Sequence, residues 1–178
     1  TENLRSAKAT DRYTLKGKGE EEYTPRFTFH GFRYVEVTGY PGKPSLDSIT
    51  GIVTHTAAPF TGEFKTSNDM LNQLQSNITW GERDNFLSIP TDTPARDERL
   101  GWTGDINIFA PTAGFNMNVA KFLGDKWLQD LRDGQSENGA YPDVAPRVAG
   151  GEGSAGWGDA GVTVPYSLWQ RSGDKRMI

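Results

Sequence analysis

The sequence predicts a mixed α and β protein in which the strands and the helices are segregated along the chain. The first third shows the period of two that is typical of strands, whereas the remainder shows helical spacing of apolar residues. Strands that precede helices without alternating with them favour two layers or two domains over a parallel βαβ sheet. We expect the boundary near residues 60–66, with residues 1–64 as the first domain and residues 65–178 as the second.

Three strands are predicted before helical spacing begins. Residues 27–38 alternate between the two faces of a strand and are rich in aromatic and β-branched side chains. The Tyr-Pro-Gly sequence at residues 40–42 is typical of a turn, because proline presets φ and glycine accepts positive φ. Residues 49–56 and 61–65 complete the predicted set of strands.

Helical spacing begins after Phe64. Ser67 is a suitable N-cap for a first helix that runs to about Phe86. One face of this helix carries four apolar residues, namely Met70, Leu71, Leu74 and Ile78. A shorter helical segment follows Gly104 and is expected to end at Pro111, because proline cannot donate a backbone hydrogen bond.

Two further helices are predicted in the second half of the chain. The first runs from about Asn118 to Gly134, a residue type favoured just after a helix. The other follows Asp159, continues to about Ser172 and is closed by Gly173. Between the helices lie long loops at residues 87–104 and 134–158, and loops of that length in a compact domain are usually functional or disordered.

Composition excludes several functional classes. The net charge of −4 provides no basic face for nucleic acid, and no apolar run approaches the ~20 residues of a membrane span. The absence of cysteine excludes disulfides and thiolate chemistry, and the two histidines are too few for a three-histidine metal site. We therefore expect no metal, no cofactor, no nucleic acid and no membrane partner, and the oligomeric state stays open.

Residues 90–105, PTDTPARDERLGWTGD, combine acids with a tryptophan. Cleavage of a glycosidic bond needs a general acid that protonates the leaving oxygen, and a second carboxylate that attacks or activates water. Apolar surroundings or a neighbouring negative charge keep such an acid protonated near neutral pH. This loop could supply both the apolar surroundings and the neighbouring charge. It contains four carboxylates, two arginines and one tryptophan: Asp92, Asp97, Glu98, Asp105, Arg96, Arg99 and Trp102.

The same composition is also consistent with a solvated surface loop whose ion pairs contribute little. Two features favour a site instead, because Leu100-Gly101-Trp102 is unusually apolar for a charged loop and Pro90 with Pro94 stiffens it. Residues 139–161 form a second loop of prolines and glycines that contains Asp143, Trp157 and Asp159. From the residues alone, Trp157 is equally consistent with ordinary packing.

At this point the chain resembles the bacterial α-L-rhamnosidases of glycoside hydrolase family 78. The resemblance rests on four ordered motifs: residues 29–42 (FHGFRYVEVTGYPG), 90–105, 142–146 (PDVAP) and 156–161 (GWGDAG). It covers the chain from about Tyr13 onward. One departure is that Thr93-Pro94-Ala95 stands where the family has Cys-Pro-Gln before RDER.

The resemblance implies the end of an antiparallel β-sandwich followed by the first helices of an (α/α)6 toroid, and hydrolysis of terminal α-L-rhamnose with inversion. By motif position, Glu98 matches the general acid. Three residues match those that hold sugar hydroxyls and two match those that wall the pocket: Asp92, Arg96 and Asp105, and then Trp102 and Trp157. We add Asp159 from the same GWGD motif as a substrate-binding residue, and expect Asp97 to make a structural ion pair.

An inverting hydrolase also needs a general base, and the resemblance implies that this glutamate lies downstream of residue 178. Twelve toroid helices with their connections need roughly 190 residues, and fewer follow Thr66 in this 178-residue chain. We therefore expect an internal fragment that does not hydrolyse rhamnosides alone. We expect a periplasmic or extracellular parent protein, although no signal peptide is visible and a cytoplasmic location is also compatible.

Two other functions stay open from the sequence. The chain could be a non-catalytic carbohydrate-binding or scaffold piece that uses Trp102 and Trp157 as platforms. It could also belong to a toroid glycosidase of other specificity, because acids and aromatic residues alone do not identify the sugar. A rhamnose-containing glycoside or polysaccharide is the partner that the resemblance implies.

Overall fold

The computed structural model describes residues 2–178. The chain divides into two compact units, one of Thr1–Thr54 with Thr93–Arg99 and one of His55–Asp92 with Leu100–Ile178. The chain therefore leaves the second unit after Asp92, contributes seven residues to the first, and returns at Leu100. A domain boundary at residues 64 and 65 stays a prediction.

The first unit contains two short 3-10 turns, Glu2–Leu4 and Leu46–Ser48. The strands predicted at residues 27–38 and 49–56 are absent from the structure, as is the strand at 61–65 in the second unit. Residues 8–54 make very few backbone hydrogen bonds with one another. Outside the regular elements there is one, which Ser48 N donates to Ser45 O. The strand prediction is wrong for this chain because a strand requires ladder partners, which local alternation does not supply.

The second unit consists mainly of helices. Its elements are, in chain order, α1 (Asp69–Asn85), β1 (Phe86–Leu87), β2 (Ile89–Pro90), α2 (Thr103–Asn116), a π-helical segment (Ala120–Trp127) that continues into α3 (Leu128–Asp133), α4 (Ala160–Ser172) and a 3-10 turn (Lys175–Met177). Strands β1 and β2 form an antiparallel hairpin in which Phe86 lies opposite Pro90.

Two of the predicted helices are confirmed at both ends. The helical segment from Ala120 to Asp133 stops at Gly134, although its first eight residues are π-helical. Helix α4 ends at Gly173, whose φ of 70° is the left-handed conformation that glycine adopts at low cost. The predicted cap of α1 is wrong by one residue, because the side chain of Asn68 accepts the hydrogen bond from Met70 N.

The prediction that α2 ends at Pro111 is also wrong. Helix α2 continues through this proline to Asn116. Pro111 is exposed, so its ring does not have to fit into the packed core, although the helix loses the hydrogen bond that residue 111 would otherwise donate. The opposite face of α2 carries the buried Ile106, Ala110 and Ala113, and α2 packs along α4. Burial of this apolar face offsets the cost of an interior proline, about 3 kcal/mol.

The core of the second unit lies between α2, the π-helical segment, α3 and α4. Its largest fully buried side chain is Trp127, whose indole Nε1 donates a 3.1 Å hydrogen bond to the carbonyl of Ala145. The apolar face predicted on α1 is not part of this core, since Met70, Leu71 and Leu74 are exposed. Helical spacing identified the face, but no described element covers it. Within residues 2–178, no helix is both long and apolar enough to cross a membrane.

Candidate active site

The segment Thr93–Arg99 carries the predicted acid, Glu98, and belongs to the first unit. Glu98 Oε2 accepts hydrogen bonds from Arg96 Nη1 at 2.8 Å and from Arg5 Nη1 at 3.2 Å. The hydrogen bond from Arg96 is the main reason that the pKa of Glu98 lies below its usual value, and the charges of Arg96 and Arg5 act in the same direction. Glu98 has a φ of 95°, which is rare for a residue other than glycine.

The same segment is anchored to residues 29–31 of the first unit. The guanidinium of Arg99 donates to the carbonyl of Phe29 at 2.9 Å and lies 4.1 Å from the centre of its ring. A Cβ on Gly31 would come within 2.6 Å of the Cβ of Ala95, so the two backbones approach closely. Asp97 accepts a hydrogen bond from Ser6 Oγ at 3.2 Å and forms no ion pair among the described residues, so that expectation was wrong.

In the second unit, Asp92 and Leu100 close the base of this segment. Asp92 N donates to Leu100 O at 3.2 Å, and Leu100 N donates to Asp92 Oδ1 at 3.1 Å. The two residues are thus joined by two hydrogen bonds, one between backbone atoms and one from the Leu100 backbone to the Asp92 side chain. These bonds fix both points at which the chain enters and leaves the second unit.

Trp102 and Asp105 lie at the start of α2. Partial burial raises the pKa of the Asp105 carboxyl, and the negative charge of Asp92 adds to the effect. Trp102 is partly exposed, yet its indole Nε1 is buried and has no hydrogen-bond partner in the described part of the chain. Any exposed part of the Trp102 ring is therefore carbon.

Residues 142–145 run beside the start of α2. Thr103 N donates to Asp143 O at 2.9 Å, Ala145 N donates to Gly101 O at 2.9 Å, and Trp102 pairs with Val144 in an antiparallel bridge. The second predicted loop is thereby joined to the first through backbone hydrogen bonds.

Trp157 packs on the same end of α2. A Cβ on Gly104 would lie 2.8 Å from the indole ring of Trp157, so only glycine allows the ring to approach the helix this closely. Asp159, at the N-terminus of α4, accepts a hydrogen bond from Gly156 N at 2.8 Å. Its carboxylate therefore helps to close the turn that carries Trp157.

The predicted residues fall into two groups. Glu98 and Arg96 are in direct contact within the first unit. The second unit holds the other five around the first turn of α2 and the start of α4, namely Asp92, Trp102, Asp105, Trp157 and Asp159.

Sequence reasoning gave no role to two residues that organise the second group. Asn107 Nδ2 donates to Gly156 O at 2.9 Å, and its Oδ1 accepts from Thr163 Oγ1, which links α2 to the Trp157 turn and to α4. Asp143 is buried and accepts hydrogen bonds from Ser154. A carboxylate in a proline- and glycine-rich loop was the available signal for Asp143, whereas Asn107 had none.

A cleft of about 560 Å³ lies elsewhere in the second unit, between the start of α1 and the end of α2. Its lining includes Phe60, Gln75 and Asn116 but none of the predicted site residues. Residues 2–178 also contain no group of three or more histidine, aspartate or glutamate side chains arranged to hold a metal ion.

Residues 59–178 match the family described as bacterial alpha-L-rhamnosidase 6 hairpin glycosidase domain. Residues 1–55 match the bacterial alpha-L-rhamnosidase concanavalin-like domain. An alpha-L-rhamnosidase of Streptomyces avermitilis is 70% identical over the whole chain, and one of Formosa agariphila is 48% identical over 98% of it. The chain spans only 17% and 19% of the length of these two relatives.

Solved structures agree with these matches. The Streptomyces avermitilis alpha-L-rhamnosidase, in complex with L-rhamnose, superposes on 98% of this chain with a TM-score of 0.95. An alpha-L-rhamnosidase of Aspergillus terreus, 49% identical, superposes on 98% of the chain with a TM-score of 0.91. The chain covers 17% and 21% of these two structures.

Proposed function

Because the chain belongs to the bacterial α-L-rhamnosidase family, we propose that it forms the acid-bearing part of a glycoside hydrolase that releases terminal α-L-rhamnose. The substrate would be a rhamnose-containing glycoside or polysaccharide. Support for the sugar comes from the Streptomyces relative, whose structure contains L-rhamnose. The observation that carries the proposal is the RDER segment, in which the Glu98 carboxylate accepts a hydrogen bond from Arg96 and the Glu98 backbone has a strained φ of 95°.

We further propose that, in the longer protein, residues 1–64 pair with strands outside this chain in a β-sandwich and residues 65–178 form the first helices of an (α/α)6 toroid. The matches of residues 1–55 to a concanavalin-like domain and of residues 59–178 to a six-hairpin domain support this arrangement. A periplasmic or extracellular location of the longer protein remains part of the proposal.

Glu98 is the proposed general acid, which protonates the leaving oxygen of the glycoside. An inverting hydrolase places its general base about 6.5–9.5 Å from the acid, on the other side of the sugar, where the base activates water. We propose that this base lies outside residues 1–178. Water then attacks the anomeric carbon as the glycosidic bond breaks, Glu98 donates its proton to the leaving oxygen, and the base takes a proton from the attacking water.

A general acid must be protonated, whereas Arg96 lowers the pKa of Glu98 in this structure. Arg96 is also proposed to hold a sugar hydroxyl. If Arg96 turns toward the sugar, Glu98 loses the hydrogen bond that contributes most to its low pKa, and burial beneath the substrate raises that pKa further. Substrate binding would thus convert Glu98 from a carboxylate into an acid.

Five of the six proposed sugar-binding residues belong to the second unit. Trp102 and Trp157 each expose part of an indole ring, which suits stacking against the C–H face of rhamnose. The carboxylates of Asp92, Asp105 and Asp159 are proposed to accept hydrogen bonds from sugar hydroxyls. A module that only binds carbohydrate would use the same aromatic residues, and the strained, arginine-paired Glu98 favours a hydrolase.

The substitution Glu98→Gln in the full-length protein tests the acid. We expect a loss of about 10²–10⁴-fold in kcat on natural rhamnosides, because the leaving oxygen is no longer protonated. An aryl rhamnoside with an acidic phenol as leaving group needs little protonation, so its kcat should fall far less. The measurement is steady-state kinetics on both substrates.

The adjacent variant Asp97→Asn is the matched control, since it removes one negative charge from the same segment. It should keep the activity on both substrates within a few-fold of the unmodified protein. Equal losses on the two substrates in Glu98→Gln would contradict the assignment of Glu98 as the acid.

A further inference from the structure

Trp157 lies in one of the most glycine-rich parts of the chain. Residues 150–158 include five glycines, and glycine loses more conformational freedom on folding than any other residue. The ring nevertheless lies so close to Gly104 that a Cβ added there would come within 2.8 Å of it. A segment with so much backbone freedom needs specific contacts to hold a ring at one place.

Asp143 provides such a contact through its side chain. Its side chain is nearly inaccessible, since the residue is 7% exposed, and it accepts hydrogen bonds from Ser154 Oγ at 2.7 Å and from Ser154 N at 3.3 Å. No ion pair of Asp143 occurs among the described residues. A buried carboxylate is costly unless it is hydrogen-bonded, so the bonds from Ser154 strongly favour one arrangement of the loop.

The backbone of Asp143 contacts α2 directly. Its carbonyl accepts hydrogen bonds from Thr103 N at 2.9 Å and from Thr103 Oγ1 at 3.0 Å. Thr103 is the first residue of α2, between Trp102 and the Gly104 on which Trp157 rests. Asp143 therefore joins the start of α2 through its carbonyl and the glycine-rich loop through its carboxylate.

Ser154 continues this connection to the tryptophan. Its carbonyl accepts hydrogen bonds from Trp157 N at 3.0 Å and from Gly158 N at 2.8 Å, which forms a tight turn over residues 154–158. Ser154 therefore connects that turn to the Asp143 carboxylate, beside the hydrogen bonds that Asn107 and Asp159 make to Gly156.

We infer that Asp143 is a positioning residue of the rhamnose pocket, which holds the wall residue Trp157 against α2 through Ser154. The inference rests on the proposed function for the identity of the sugar. The hydrogen bonds that join Asp143 to Ser154 and Thr103 do not depend on that function. Asp143 itself is not proposed to contact the sugar. It acts on substrate binding only through the position of the Trp157 ring.

The variants Asp143→Ala and Asp143→Asn in the full-length protein test the inference. A displaced wall residue weakens ground state and transition state alike, so Asp143→Ala should raise KM for an aryl α-L-rhamnoside about tenfold and keep kcat within about twofold. Asp143→Asn retains an acceptor for Ser154 and should recover most of the loss. Asp84→Ala, at an exposed position of α1, should change neither constant.

A double-mutant cycle and hydrogen exchange separate positioning from a general loss of structure. In a Trp157→Ala background, Asp143→Ala should add no further increase in KM, because the ring through which it acts is gone. Amides of residues 154–158 should exchange about tenfold faster in Asp143→Ala, while those of the central turns of α2 and α4 keep their rates.

The outcomes distinguish a failure of the role of Asp143 from a failure of the proposed rhamnose pocket. Unchanged exchange at residues 154–158 would overturn the inference, as would a fall in kcat at constant KM or additive effects of the two substitutions. Faster exchange at these residues, with KM unaffected by either substitution, would support the role of Asp143 in holding Trp157 and would contradict the proposed rhamnose pocket.

Discussion

Replacing Gly101 with alanine should lower the free energy of unfolding of this chain by on the order of 3–5 kcal/mol. A Cβ at this position would lie 2.0 Å from the carbonyl oxygen of Ala145. The atom in the way belongs to the backbone and cannot rotate aside. The same oxygen accepts the indole hydrogen bond of Trp127, so a shift of Ala145 also breaks a contact of the fully buried tryptophan.

The shift would extend along the paired segments. The hydrogen bond from Ala145 N to Gly101 O and the bridge between Trp102 and Val144 depend on the same close approach. Urea unfolding followed by circular dichroism measures the change in stability. Gly62→Ala is the matched control, because a Cβ there would meet no atom within 4 Å. Equal midpoints for the two variants would show that the Gly101 contact does not limit stability.

The second large effect is a pH dependence that comes from Glu82 on α1. This side chain is 1% exposed, and Oε2 accepts a 2.9 Å hydrogen bond from Asn116 Nδ2 while Oε1 has no partner among the described residues. Burial raises the pKa of Glu82 to about 7 from 4.5, although the bond from Asn116 lowers it. The folded chain therefore binds a proton in a pH range where the unfolded chain has already released it.

The sign of the stability change follows from this difference. Below pH 4.5 both states are protonated and Glu82 has no effect, whereas stability is lost as the pH rises from about 4.5 to about 7. The loss is roughly 3 kcal/mol when each pKa unit contributes about 1.4 kcal/mol. Glu82→Gln should abolish this slope and raise the free energy of unfolding at pH 8 by about 2 kcal/mol, because the amide is neutral but leaves a buried N–H unpaired.

Urea unfolding at intervals between pH 4 and pH 8 measures the slope. Glu137→Gln is the matched control, because Glu137 is exposed and the substitution removes the same charge. A slope in Glu82→Gln that equals the slope of the unmodified chain would show that Glu82 is not the responsible group.

Local patterns predicted the helices better than the strands. Apolar spacing and a closing glycine are contained within each helix, so the segments that end at Gly134 and Gly173 were correct from the sequence. Residues 27–38 also have a clear local pattern, but strand formation depends on pairing with distant backbone. The prediction that α2 ends at Pro111 failed for a related reason. Whether a helix tolerates an interior proline depends on how the helix packs, and the local sequence does not show this.

In the candidate site, too, contacts between sequence neighbours were predictable and contacts between distant residues were not. The motifs identified Glu98 and Arg96 as chemically important neighbours, and the two side chains are in contact. Their role in catalysis stays a prediction. Asp143 could not be assigned from sequence, because its significance depends on Ser154 and Thr103, which lie 11 and 40 positions away along the chain.

The path of the chain through the two units has a consequence for how such proteins can be shortened or recombined. Seven residues that follow Asp92 belong to the unit that begins at the N-terminus, and Glu98 is one of them. A single cut near residue 55 or 64 would leave Glu98 on the helical piece while it removed Arg5 and Phe29, which contact this segment. Exchange of the N-terminal unit between relatives would therefore also replace the surroundings of the acid. The two units are expected to be inherited as a pair, with compensating substitutions at Arg5, Phe29 and residues 93–99.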